Sequence, residues 1–199
     1  MKITILSSGS KGNSTLIETN KTNILIDAGL PLKNLKERLK KDLPTIDILI
    51  ITHSHSDHTK GLKSILKHHN PKIYMQEQGA DEIIDYGKIN HESKIKIEEV
   101  EINLFPLSHD VPCTGVHIKE KDTELVYITD TGYIKQSILN SYKNKDIYII
   151  ESNYEEEMLM NGSYPFYLKQ RIRSDKGHLS NKDTCRYLKT LIGNKLLLF

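Results

Sequence analysis

Residues 47–52, "DILIIT", form an apolar run of strand length with no polar alternation. Such a run reads as a strand buried on both faces, and a strand of that kind needs further layers on either side. "DIYIIE" at 146–151 has the same character. Two sequence-distant buried strands therefore set the problem: the chain must build covered sheets.

The remaining pattern supplies the material. "KITIL", "STLIE" and "NILID" are short β-type runs, the first two divided by a Gly/Ser loop at 7–13. Leu32, Leu35 and Leu39 recur at helical spacing, which predicts an amphipathic helix over 31–41 with a Lys-rich outer face. A second helix is expected at 58–68, stopped by Asn70-Pro71, then a strand "KIYM" and a helix at 77–86. Strands follow at 94–98, 101–106, 114–119 and 124–129. Ser180 and Asp183 have capping-box spacing ahead of a helix over 181–192, whose apolar positions are Cys185, Leu188 and Ile192. "KLLLF" reads as a last strand. Strands thus fall in two groups with helices attached, which suits an α/β chain with two sheets face to face and helices outside. With 199 residues and no repeat or linker, one domain spanning 1–199 is expected.

Composition excludes little. The net charge of +2 favours neither nucleic acid nor its avoidance, so a basic surface must be sought locally. "MKITILSSGS" is too short in apolar residues for a secretory signal, and no run reaches membrane length. The two cysteines, Cys113 and Cys185, are too few for a disulfide framework or a thiolate zinc site, and read as small core residues. A cytoplasmic protein with no membrane partner is expected.

Directly after "DILIIT" comes "HSHSDH". His53 and His55 are two apart, so in an extended segment they project to the same side and can grip one cation. Asp57 and His58 follow at the turn into a helix and can face a second. Imidazole and carboxylate donors suit zinc, manganese or iron, and leave coordination positions open for water.

"HSHSDH" resembles the H-x-H-x-D-H signature of the metallo-β-lactamase superfamily. "ILIDAG" (24–29), "LSHD" (107–110) and "YITDTG" (127–132) extend the resemblance in the family's order. It implies a four-layer αββα sandwich with the site at the sheet edges. It also implies two divalent ions: His53, His55 and His109 on one, Asp57, His58 and Asp130 on the other, with Asp130 bridging and Asp27 bracing the ligand loop. "SSGSKGNST" (7–15) and "RIRSDKGHLSN" (171–181), preceded by "ESNY", are similar to segments of the YycJ/WalJ group, nucleases related to tRNase Z. By that resemblance Glu151 and His178 form the pair that assists leaving-group protonation, while Asp57 belongs to the catalytic metal loop. The implied activity is a 5′-3′ exonuclease-type phosphodiesterase on DNA. The family pattern places a further metal histidine after the last strand, whereas this sequence stops at "KLLLF". A truncated chain, or a second metal site that is weak or empty, is the corresponding expectation.

Several residues carry open alternatives. His178 reads equally as a functional histidine or as part of a plain helix start, "GHLSN", capped by Ser180; a histidine beside a helix N-terminus can also help bind phosphate, with Ser180 and Asn181 as candidate contacts. The loop bearing Ser10 and Asn13 is either a hairpin turn or a phosphate nest. Lys169, Arg171, Arg173 and Lys176 form a basic run that is either a solvated face or a contact to a nucleic-acid backbone. His68 and His69 read as solvated residues at a helix end, and His117 as an outward strand residue. A small-molecule hydrolase of the same fold (thioester, lactone or cyclic phosphate) and a non-catalytic binding protein are the competing functions.

Overall fold

The computed structural model describes residues 1–78, 80 and 89–193. Contacts divide the chain into two compact units, Met1–Asn103 and Leu104–Phe199. The expected helix at 77–86 lies largely outside the described residues, and the expected strand "KLLLF" entirely so.

The first unit is built on a six-stranded sheet in the order β1 to β6: β1 (Lys2–Ser7), β2 (Ser14–Glu18), β3 (Asn23–Ile26), β4 (Ile48–Ile50), β5 (Lys72–Tyr74) and β6 (Ile89–Asn90). β1, β2 and β3 are antiparallel, and β3 to β6 run parallel. Parallel neighbours need crossovers, and α1 (Leu32–Leu39) lies between β3 and β4. Leu32 and Leu35 bury against Leu25, Leu49 and Ile51, as the spacing predicts. The alternate side chains Ile24, Ile26, Ile48 and Ile50 are equally buried, so β4 is covered on both faces.

The helix expected at 58–68 is two short pieces, α2 (Ser56–Thr59) and α3 (Leu62–Leu66). The break is forced locally: Gly61 donates its N–H to Ala28 O (2.7 Å). A hairpin completes the unit, β7 (Lys94–Ile97) pairing antiparallel with the start of β8 (Val100–Leu107).

β8 continues into the second unit, where the sheet order is β11-β10-β9-β8. β9 (Cys113–Glu120) and β10 (Thr123–Ile128) form a hairpin, and β11 (Ile147–Ile150) joins β10 in parallel. Helices α4 (Gln136–Ser141), α5 (Glu156–Asn161), α6 (Phe166–Arg173) and α7 (Asn181–Ile192) follow the strands. Val126, Ile128, Ile134, Leu139, Leu179 and Leu191 make the core. The first three of these helices escaped the sequence reading. α4 and α5 are six residues each, too short to display a period, and α6 has no buried residue.

Three expectations are corrected here. His117 is buried, 6% exposed, with its ring beside Tyr142 and Nε2 at 2.7 Å from Glu124 Oε2. A polar strand residue can turn inward when a carboxylate partner satisfies it. Cys185 is exposed, because α7 buries Thr184, Leu191 and Ile192 rather than a face through Cys185. His69 is only partly exposed; its Nδ1 lies 3.4 Å from the Ile46 N–H, and burial, then His68 and Lys36, lower its pKa.

Candidate metal and proton-transfer centre

In the first unit, three separated sequence segments meet at the C-terminal ends of β3 and β4. The Asn13 N–H donates to Asp57 O (2.7 Å), Gly29 N–H to Asn13 O (2.9 Å) and Ala28 N–H to His58 O (2.8 Å). Position 29 must be glycine, since a Cβ there would collide with the backbone of Asp57 and Asn13. The Gly/Ser loop, "DAG" and "HSHSDH" are thus one woven structure.

Asp27 lies at its centre, fully buried, with φ 61°. Its Oδ1 accepts from Thr52 N (2.8 Å), and its Oδ2 accepts from His58 Nδ1 (2.8 Å) and lies 2.9 Å from Thr52 Oγ1. Since the Thr52 hydroxyl donates to Asp27, it accepts from His53 Nδ1 at 3.0 Å. Both buried rings are thereby set with the proton on Nδ1 and the lone pair on Nε2. His53 Nε2 faces His55 Nδ1 at 3.1 Å. Two imidazole nitrogens on one tetrahedral zinc stand about 3.3 Å apart, given Zn–N near 2.0–2.1 Å. The spacing fits a shared cation. His58 Nε2 is 2.9 Å from Asn13 Nδ2 and 3.6 Å from Asp57 Oδ2.

The second unit carries the other predicted residues. Asp130 follows β10 with φ 54°, and Glu151 follows β11. Atoms of Asp130, Glu151 and His178 lie within 4.8 Å of one another, a carboxylate–imidazole set able to hold a cation. His178 Nδ1 is 2.9 Å from Glu151 Oε2 and 3.5 Å from Asp130 Oδ1. Thr131 N–H fixes the other Glu151 oxygen at 2.7 Å. Burial draws the His178 pKa down, but the Glu151 hydrogen bond and charge, with Asp130 and Asp110, outweigh it and raise it above 6.5. His109 is buried with Nδ1 at 3.2 Å from Gly177 O and its ring 5.4 Å from that of His178.

The phosphate candidates are placed less favourably. Asn13 accepts from Gly9 N–H through its side-chain oxygen and donates toward Asp57, so it braces the loop that carries His55, Asp57 and His58. Ser180 Oγ accepts from Asp183 N (3.1 Å) and caps α7, the plain helix-start alternative. Asn181 bonds to Ser152 and Glu155. Arg171 pairs with Asp110, Arg173 with Glu156 at 2.5 Å, and Lys169 donates to Met160 O. Ser10 is exposed. Sequence reading missed Thr52 and Thr131, whose hydroxyl and amide roles leave no motif beyond their position beside an acid or histidine.

A family model described as "Beta-lactamase superfamily domain" matches residues 22–199. The chain belongs to that superfamily. It is 35% identical over 209 residues to the exodeoxyribonuclease WalJ of Streptococcus pneumoniae, covering 98% of this chain and 78% of the relative. It is 30% identical to the exodeoxyribonuclease YycJ of Bacillus anthracis, covering 92% and 74%. Among solved structures, the metallo-β-lactamase fold protein YhfI of Bacillus subtilis superposes with a TM-score of 0.73 at 18% identity, covering 95% and 80%. That likeness gives the fold: the α/β sandwich of the metallo-β-lactamase type.

Proposed function

We propose that this chain is a metal-dependent exonuclease that hydrolyses DNA from a strand end. The hydrolytic and nucleolytic part follows from kinship with two exodeoxyribonucleases over nearly the whole chain. The observation that carries the reading is the His53–His55 nitrogen pair at 3.1 Å, framed by the buried Asp27–Thr52–His58 network.

In this reading His53, His55 and His109 hold one divalent ion, zinc or manganese, and Asp57, His58 and Asp130 hold a second. Motif order supports the set, as does the unbroken family match through both units, which also supports a single domain. When bound, such ions lower the pKa of a coordinated water and offset charge on the phosphate. The protein's own residues do the rest. Asp27 and Thr52 present the imidazole lone pairs without reorganisation. Glu151 keeps His178 protonated and oriented through Nδ1, so that Nε2–H donates to the departing oxygen. Among the described residues no helix is long and apolar enough to cross a membrane. Both cysteines are free thiols, which supports the cytoplasmic setting.

The test is a time course with manganese or zinc on end-labelled DNA and on RNA of equal sequence. Stepwise release of mononucleotides from DNA, abolished by a chelator, is expected. Cleavage of RNA alone, or of a thioester or lactone with DNA left intact, overturns the reading.

A further inference from the structure

The second unit carries a helical hairpin that its own core does not cover. α5 buries Leu159, and α6 buries nothing. Lys169 Nζ donates to Met160 O (2.7 Å) and Arg173 pairs with Glu156, so the two helices run antiparallel, side by side. Among the described residues six large apolar side chains are exposed, and five of them stand here: Met158, Met160, Tyr164, Phe166 and Tyr167. Tyr167 is 72% exposed and Met158 74%. Apolar surface left in water is unfavourable, and a patch concentrated in one short stretch of chain marks an interaction site.

The hairpin's composition selects the kind of partner. Its cations are engaged already: Lys169 by Met160 O, Arg171 by Asp110 and Arg173 by Glu156. A polyanion, whether nucleic acid or an anionic lipid surface, meets no unengaged cation on it. Aromatic and methionine side chains with an exposed, uncharged polar rim (Asn161, Ser163, Gln170) are instead the composition of a protein–protein contact. Residues 155–173 carry three acids and three bases, so the face does not repel its own copy. A whole aromatic side chain offers about 150–250 Å², which leaves roughly 400 Å² of ring surface exposed on each copy. With the methionines added, two copies face to face reach about 1,200 Å², where specific interfaces begin.

We infer that this chain pairs with a second copy of itself about a two-fold axis, the α5–α6 face of one packed on the α5–α6 face of the other. A closed two-fold contact uses the same patch twice and covers it on both copies. The contact reaches the candidate centre through the backbone. Ile172 O accepts from His178 N–H (2.9 Å), and Gly177 N–H donates to Ser174 O (2.8 Å). A Cβ at position 177 would strike Arg171 O and Ile172 O, so the loop bearing His178 rests on the end of α6. A helix with no buried residue opens easily, and covering it in the pair holds that loop in place. This inference goes beyond the nuclease reading and does not depend on it.

The test needs no turnover. Sedimentation velocity on the metal-free chain, over a wide range of concentration, should show the mass rising to two chains and no further. Phe166→Ser with Tyr167→Ser should raise the dissociation constant by at least about 100-fold, since aromatic anchors carry most of an interface's energy. Circular dichroism should find that variant folded, because neither ring is buried. Ile5→Ser, at the sixth exposed apolar side chain, should leave association unchanged. Amide hydrogen exchange at Gly177 and His178 should be slower in the paired chain than in the doubly substituted one. A one-chain mass at every concentration, open-ended growth, or a pair that survives the double substitution overturns the inference. Equal exchange at both amides overturns the link to the His178 loop. DNA hydrolysis by a chain that stays monomeric removes this contact and leaves the nuclease reading standing. A stable pair that leaves DNA intact does the reverse.

Discussion

Asp27 and Asp130 occupy the same kind of position in two different units. Each follows the C-terminal end of a strand, and each has a positive φ, 61° and 54°, a conformation that aspartate tolerates better than most residues. Their surroundings part company from there. Asp27 is 0% exposed and its carboxylate is committed to Thr52 and His58. The Asp130 side chain keeps 16% exposure and faces the His178–Glu151 pair. One backbone device thus serves two settings: a dry carboxylate fixes ring orientation, and a wetter one faces a titratable imidazole–carboxylate pair. Burial separates the settings, because a carboxylate wholly enclosed by protein donors has no lone pair left to turn toward solvent.

The largest effect should come from breaking the dry side. Asp27→Ala strands the Thr52 amide and the His58 ring, and loss of one partner of a buried pair costs about 3–5 kcal/mol. Chemical denaturation of the metal-free chain should show that loss, together with failure to bind metal. A stable variant that still binds metal would falsify the division of roles.

On the wetter side the damage should be kinetic. His178→Ala should lower turnover by about 10²–10⁴, the reach of a general acid, while calorimetry finds metal binding unchanged. Parallel loss of the ion would make His178 a ligand instead.

Asn13→Ala should act between these. It removes the bonds to Asp57 and His58 but no ligand, and such supporting groups are worth about 10–100-fold in metal affinity. An unchanged affinity would show that the backbone weave alone fixes the loop.

A pH series separates the two sides further. The folded-state pKa of His178 is raised, so the stabilisation from its pairing is complete below about pH 6.5 and is lost as pH rises through the folded value. Glu151→Gln should therefore destabilise the metal-free chain more at about pH 6 than at about pH 8. The same deficit at both pH values excludes a protonated partner.

The smallest effect is expected at Ser180. Removing the α7 cap by Ser180→Ala should cost about 1 kcal/mol, read as a lower denaturation midpoint. A large fall in DNA affinity with no loss of stability would return the hydroxyl to the phosphate-binding role.

Much of this was legible in the chain itself. "DILIIT" announced a covered strand, and β4 is buried on both faces. Leu32 and Leu35 announced α1, and Ser180 with Asp183 marked the start of α7. These signals are local: periodicity and capping act within a few residues. His117 was misread for the opposite reason, since its neighbours in sequence say nothing of Glu124 across the hairpin. Arg171 and Arg173 are exposed cations, as one of the two sequence alternatives has it, but their partners Asp110 and Glu156 lie too far off in the chain to be read from it.

By itself, the sequence determined which residues are able to ligate and in what order they come, because ligand chemistry belongs to the side chain and strand alternation sets its direction. Tertiary structure alone decided how those side chains are held. The Asp27 carboxylate that fixes the Thr52 hydroxyl, the Asn13 amide over Asp57, and the Ser108 tie to Asp175 all join segments far apart in the chain. The reason is physical: a hydrogen bond is decided within about 3 Å, and only the folded backbone brings such segments that close.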